Sequence, residues 1–447
     1  MSERVEPGGL RRSLGVRDLM VYGLLFIAPM APVGVFGVLD AKSHGAVASV
    51  YLAATVAMGF TAFSYAQMVR AVPQTGSVFA YARAGLGEGP GFIAGWMAML
   101  DYLLIPAVAY LFSGIALNSL VPDVSRWVWT ALAVLVTTAL NLVGVRTAAA
   151  VGFAVLAMEI AVLTVFVAAA VVVLVRDGAQ RGLATPFTAV GAFSMTAVIS
   201  AVSVAVLSYL GFDAIATFVE EAVGASAAVA RAVLWCLVLA GVLFVAQTYL
   251  AALLEPMTPQ QLAADPAAQG SAFYDTVENG IGHWLHVLVA ASKAIGAAFA
   301  ALAGQAAAGR LVFAMGRAGR LPRFLGAVDP ASAVPRRALL TAAVITLAAA
   351  VWAARRDDGL DQLTSVVNVG ALTAFALLHA SVIGWYAVKQ RSRDLLRHVV
   401  VPVLGIVVIG AVVYEASSTA QTVGAVWLLV GLVVLAVQGS PGVGVRH

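Results

Sequence analysis

Four ionisable side chains stand inside long apolar runs: Asp101, Glu159, Asp213 and Lys293. A charge at the centre of a membrane helix costs about 2.5–3.5 kcal/mol on insertion scales, so such groups usually face an interior cavity and mark an ion or substrate path. Asp213 is the strongest of the four. It lies two residues after Gly211 in the run Ser208-Tyr209-Leu210-Gly211-Phe212-Asp213-Ala214, where a long apolar helix is interrupted. Carbonyls at the C-terminal end of a half-helix carry negative partial charge, and a carboxylate beside them makes a cation-selecting site. Glu159, about ten residues into its own apolar run, is the candidate for proton coupling, the alternative being a neutral carboxyl hydrogen-bonded to a neighbouring helix. The bland alternative for Lys293 is a buried structural pair with one carboxylate.

A matching interruption lies earlier in the chain, at Ala28-Pro29-Met30-Ala31-Pro32. Two prolines there remove backbone donors and break the helical ladder, which frees carbonyls as ammonium acceptors. Gly211, Phe212, Ala28 and Met30 are therefore expected beside Asp213 in one substrate site. Asp101, with Tyr102, is expected to hold the other end of the ligand. Aromatic rings cover alkylammonium groups by cation–π contact. Tyr22, Tyr81, Trp96, Tyr102, Tyr110, Tyr209 and Phe212 lie on or near the walls of such a cavity. Tyr102 and Tyr209 stand out because they neighbour Asp101 and the second interruption. Glu220 and Glu221 form a candidate gate at the end of the sixth run, the alternative being a solvated helix end.

Other chemistries leave no trace in the sequence. There is no HExxH and no GxxxxGK, and His283, His286, His379 and His398 show no metal-ligand spacing. The single cysteine, Cys236, rules out an internal disulfide framework. No nucleophile–base cluster suggests an enzyme, and no cofactor or metal is expected. A sensor or scaffold would bind without transmembrane flux, and no soluble signalling domain is evident.

The elements that position these groups follow from composition. Of 447 residues, 62% are hydrophobic and 11% charged, against about 25% charged in a soluble domain. The principal partner is therefore a lipid bilayer, and the net charge of +4 is not a nucleic-acid signal. With about 20 apolar residues needed per span, the chain divides into 12 spans near 17–40, 46–70, 91–117, 126–144, 150–175, 197–220, 231–255, 284–310, 336–353, 361–387, 398–415 and 421–438. A short surface helix is expected over 75–85, and another near Phe273–Asn279 within the long polar connection 258–282. Gly91 and Gly95 form a GxxxG suited to close helix packing. Nineteen Arg and Lys residues fall in one set of connections and six in the other, which places both termini in the cytoplasm. No cleavable signal peptide is read at the basic N-terminus.

Several stretches carry a family resemblance. They are Pro73-Gln74-Thr75-Gly76-Ser77-Val78-Phe79-Ala80-Tyr81-Ala82, Gly95-Trp96, Leu100-Asp101-Tyr102-Leu103-Leu104-Ile105-Pro106, Tyr209 to Ala214 with Glu220-Glu221, Arg310 to Arg317 with Leu321-Pro322, and Asn368 to Leu372. In these the chain resembles the amino acid–polyamine–organocation permeases, most of all bacterial putrescine importers. The resemblance implies one transmembrane domain over 1–447 with a LeuT-type 5+5 inverted repeat. Its halves would be 17–175 and 197–387, with helices 1 and 6 broken and two extra helices over 398–438. It also implies alternating access, residence in the bacterial cytoplasmic membrane, and no obligate protein partner. The expected activity is import of a small cationic amine such as putrescine, with the proton as coupling ion. An amino acid permease or amino acid/amine exchanger is the alternative. Many amino-acid members carry a lysine on the fifth span near the position of Glu159.

Overall fold

The computed structural model describes residues 14–73, 77–143, 148–219, 222–223, 225–317, 322–327 and 335–439. Among them there is no strand, only helices and their connections. The main helices are α1 (Val16–Ile27), α2 (Phe36–Lys42), α3 (Val47–Ala71), α4 (Ser77–Leu86), α5 (Glu88–Leu120), α6 (Arg126–Val143), α7 (Ala148–Asp177), α8 (Met195–Ala205), α9 (Ala225–Leu254), α10 (Ala272–Gly280), α11 (His283–Arg317), α12 (Arg336–Ala354), α13 (Gly359–Val382), α14 (Val401–Tyr414) and α15 (Ser418–Gly439). Ten helical segments among the described residues are long and apolar enough to cross a membrane. Two shorter apolar helices, Arg126–Leu142 and Met195–Tyr209, occupy the places of the expected fourth and sixth spans. The sixth is short because its helix stops at the interruption.

Both interruptions are present. α1 ends at Ala28, whose φ of 59° is the left-handed conformation that a side chain resists. A 3-10 turn over Ala31–Gly34 follows, and α2 resumes at Phe36. α8 tightens into a 3-10 turn over Val206–Tyr209, and the chain then reverses its twist at Gly211, with φ 110°. A Cβ at Gly211 would stand only 2.9 Å from the Phe26 carbonyl oxygen. Glycine is thus required twice over, by conformation and by the approach of one broken segment to the other. Gly23 likewise lets α1 lie against Ile215 and Cys236. The two breaks therefore abut.

α5 runs through the middle of the bundle, with α4, α6, α11, α13 and α15 packed around it. Gly91 does the packing work expected of the GxxxG, since a Cβ there would meet the Arg83 backbone of α4. A helix stands at each of the two places where a short one was expected, α4 over Ser77–Leu86 and α10 over Ala272–Gly280, and α4 turns the fully buried Tyr81 inward. α10 lies over the α2 side of the first break, where Phe273 meets Phe36 edge to face at 5.7 Å.

Candidate functional site

The second break supplies the acidic centre. The 3-10 segment Phe212–Phe218 carries Asp213 in its first turn. Tyr65 of α3 donates to Asp213 Oδ2 at 3.4 Å. Asp101 and Tyr102 of α5 and Tyr81 of α4 all lie within the electrostatic field of Asp213. Four elements thus converge on one small volume. Gly370 admits α13 to this place, because a Cβ there would sit 3.0 Å from the Met97 carbonyl and 3.4 Å from the Asp101 nitrogen. Phe212 is fully buried and backs the site, edge-on to Tyr65 at 5.7 Å and tilted on Phe375 at 6.0 Å.

Two atoms there are short of partners. Asp101 Oδ1 and the Tyr81 hydroxyl are buried without a hydrogen bond among the described residues. A buried polar atom in that condition costs on the order of 1–3 kcal/mol, more if charged. Two neighbouring carboxyls repel when both are ionised. A cationic ligand with N–H donors answers both deficits at once.

The first break is furnished differently. The carbonyl of Pro29 accepts from Gln247 of α9 at 2.9 Å. The carbonyl of Met30 accepts from the Lys293 ammonium of α11 at 3.1 Å. Lys293 also stands 4.9 Å from the Phe112 ring centre. Glu159 of α7 lies within the field of Lys293 and faces the Met30 amide. Its carboxyl rests on Gly296, where a Cβ would collide with it. Glu159 and Lys293 are 2% and 3% exposed, so this is a buried cation–carboxyl arrangement at the break itself. The carbonyls that the sequence offered to a substrate ammonium are held by the protein's own side chains.

Comparison with known proteins agrees with this membrane architecture. The family model described as amino acid permease matches residues 19–443. The chain belongs to the amino acid permease family. The permease is similar to the low-affinity putrescine importer PlaP of Escherichia coli (strain K12), at 27% identity over 98% of this chain and 96% of that one. It is also similar to the branched-chain amino acid permease BcaP of Lactococcus lactis, at 26% identity over 96% of this chain and 94% of the relative. The methylthioribose transporter of Bacillus subtilis is 25% identical over 97% of this chain and 95% of the relative. The permease is a multi-pass membrane protein and not an enzyme.

The remaining candidates fall elsewhere in the permease. Tyr209 turns to α3, with its hydroxyl 2.7 Å from Thr55 Oγ1 and 3.3 Å from the Tyr51 carbonyl, away from the acidic cluster. Tyr110 is bonded to Thr137 of α6 at 2.5 Å. Trp96 stacks on Trp427 of α15, with ring centres 4.8 Å apart. Tyr22 stacks on Phe218 at 5.2 Å, beside the break. Ala28 makes the left-handed turn itself, and Met30 is buried between Ser292 and Lys293. Glu220 and Glu221 lie outside the described residues. Sequence reasoning missed Tyr65 and Gln247, and quoted Asn368 only within the family resemblance and without a role. The side-chain amide of Asn368 donates to the Ser203 and Val204 carbonyls at 2.7 and 3.1 Å, just before the second break. A polar amide alone in an apolar run was the available signal. The four histidines were also read as lacking ligand spacing, yet His283, His286 and Glu278 come together.

Proposed function

We propose that the permease imports a small cationic amine, putrescine or a related polyamine, by alternating access and with proton coupling. The observation that carries this reading is the buried Asp101 oxygen, unpartnered among the described residues, within the field of Asp213, which also reaches Tyr81 and Tyr102 and accepts from Tyr65. A diamine brings an ammonium for each carboxyl. Asp213 takes one end, Asp101 with Tyr102 the other. The printed name of the putrescine importer relative points the same way.

The first break argues against a zwitterionic substrate. An amino acid would need free amides at a half-helix N-terminus for its carboxylate. The Met30 amide there already faces Glu159. In this reading the Glu159–Lys293 arrangement is the coupling element rather than a substrate contact, and the proton is the coupling ion. Import of a dication is driven by the membrane potential, with about 4.6 kcal/mol gained at 100 mV inside-negative.

The same proposal takes twelve spans in a LeuT-type 5+5 inverted repeat, with halves over 17–175 and 197–387 and two further helices over 398–438. The two short apolar helices Arg126–Leu142 and Met195–Tyr209 supply the fourth and sixth spans. The charge bias of the connections puts both termini in the cytoplasm, in the bacterial inner membrane. The connection bearing α10 then faces outward. Uptake of labelled putrescine into proteoliposomes, with unlabelled amines and amino acids as competitors, tests the substrate. Entry of putrescine, blocked by diamines and not by zwitterions, is the expected result. Exclusion of putrescine while branched-chain amino acids enter overturns it in favour of an amino acid permease, the activity named for BcaP.

A further inference from the structure

At the end of the bundle opposite the chain termini in the proposed topology, α10 gives way to α11 through Gly280-Ile281-Gly282. The Ile281 and Gly282 amides both return to the Val277 carbonyl, at 3.0 and 2.9 Å, and Gly282 has φ 135°. This tight reversal turns the last residues of α10 back over the first turn of α11. His283 and His286, three residues apart, share one face of that turn. Glu278 of α10 is folded onto the same face.

The three side chains converge. Each Glu278 carboxylate oxygen is 3.1 Å from His283 Nδ1. Glu278 Oε2 is also 2.5 Å from His286 Nδ1. One ligand atom from each residue lies within 4.8 Å of the others. A lone His–Glu ion pair needs one imidazole; here two point the same nitrogen at one carboxylate. The contact with His286 is close yet lacks hydrogen-bond alignment, and His286 Nδ1 is buried without a hydrogen-bond partner among the described residues. The other nitrogen of that ring, Nε2, is engaged by Ser119 of α5 at 3.3 Å. Metal-bound histidines are held in this way, with the second ring nitrogen fixed by a neighbour. Asp275, one turn before Glu278, adds a negative field on His286.

We propose that Glu278, His283 and His286 form a site for a divalent first-row transition ion, zinc foremost, that fastens α10 to α11. Two imidazoles and one carboxylate with an open fourth position are a common zinc donor set. Ligand atoms at about 2.1 Å from a tetrahedral ion are about 3.4 Å apart, inside the spread of 2.5 to 4.8 Å found here. His283 has 77% of its side chain exposed and leaves the fourth position open to water. Bound metal would hold α10 down over the α2 side of the first break. Lys293 lies two helical turns further along α11 from His286, about 10 Å away along the axis.

The test uses the full-length protein without an affinity tag, in lipid nanodiscs, titrated with Zn2+ alone by calorimetry. One ion per chain with micromolar or tighter affinity is expected. His283→Ala and Glu278→Gln should each weaken it at least tenfold and leave amine binding unchanged. The zinc absorption edge should show imidazole nitrogen and carboxylate oxygen at about 2.0–2.2 Å. Absence of saturable binding overturns the site. So does equal affinity in a His283→Ala/His286→Ala variant, which would place the ion elsewhere in the chain. His283 is exposed, so its substitution reads the site even if His286 variants fail to fold.

Discussion

The two broken segments share a backbone fault and differ in how it is furnished. At the first, the chain answers its own exposed groups. Ala28 N–H bonds the Leu24 carbonyl, Gln247 takes Pro29, Lys293 takes Met30, and Glu159 faces the Met30 amide. At the second, Asn368 takes the Ser203 and Val204 carbonyls and Tyr51 pairs with Ser208 at 2.9 Å. Beyond Gly211, however, Asp101 Oδ1 and the Tyr81 hydroxyl stay buried and, among the described residues, unpartnered next to Asp213. A break by itself does not define a substrate site, because internal side chains can consume what it exposes. Among the described residues both breaks keep unpartnered buried atoms, Gln247 Oε1 at the first and Asn368 Oδ1, Asp101 Oδ1 and the Tyr81 hydroxyl at the second; an unpartnered carboxyl oxygen is what separates the two.

Substitutions can break that contrast or sharpen it. The largest effect is expected from Lys293→Met, which leaves Glu159 buried without its facing ammonium. Loss of one member of a buried pair costs about 3–5 kcal/mol, read as a lower melting temperature. Diamine affinity of the folded fraction should shift by less than about threefold. A larger loss of affinity would merge the two breaks into one site. Asp213→Asn should weaken diamine binding about 100-fold, or roughly 2.7 kcal/mol, with little change in melting temperature. Unchanged affinity removes Asp213 from the site. Asp101→Asn should cost about tenfold for a diamine and much less for a monoamine of equal length; an equal loss for both would deny that Asp101 holds the second ammonium. The smallest change is expected from Glu159→Gln, where maximal uptake at one pH is largely kept while its pH dependence flattens. A preserved dependence in proteoliposomes moves coupling elsewhere.

Much of this architecture could be read from residue order. The apolar runs announce the helices, and proline and glycine announce both breaks, since a missing donor or a positive φ is a local property. Asp101 and Asp213 were brought to one site by reasoning that intramembrane charges face inward, which needs no coordinates. The partner of Lys293 could not be read, because it depends on how α11 and α7 are rotated about their axes. Both helices are apolar on nearly every side, so sequence periodicity does not mark the inward face. Trp96 and Tyr209 show the same ambiguity: each neighbours the expected cavity in sequence and turns to α15 or α3 in space. The Glu278–His283–His286 cluster was hidden for another reason. Its spacing looks irregular until the Gly280–Gly282 reversal folds two elements together.

The Trp96–Trp427 contact has a mechanical consequence. Each indole N–H donates to the other residue's backbone carbonyl at 2.8 Å, so the two rings form a reciprocal clasp between α5 and the last helix. Gly431 gives the Trp96 ring its seat, since any Cβ there would strike it. Asp101 follows Trp96 by five residues on the same helix. α15 is therefore tied, by two hydrogen bonds and a stacked ring pair, to the wall that bears this carboxyl.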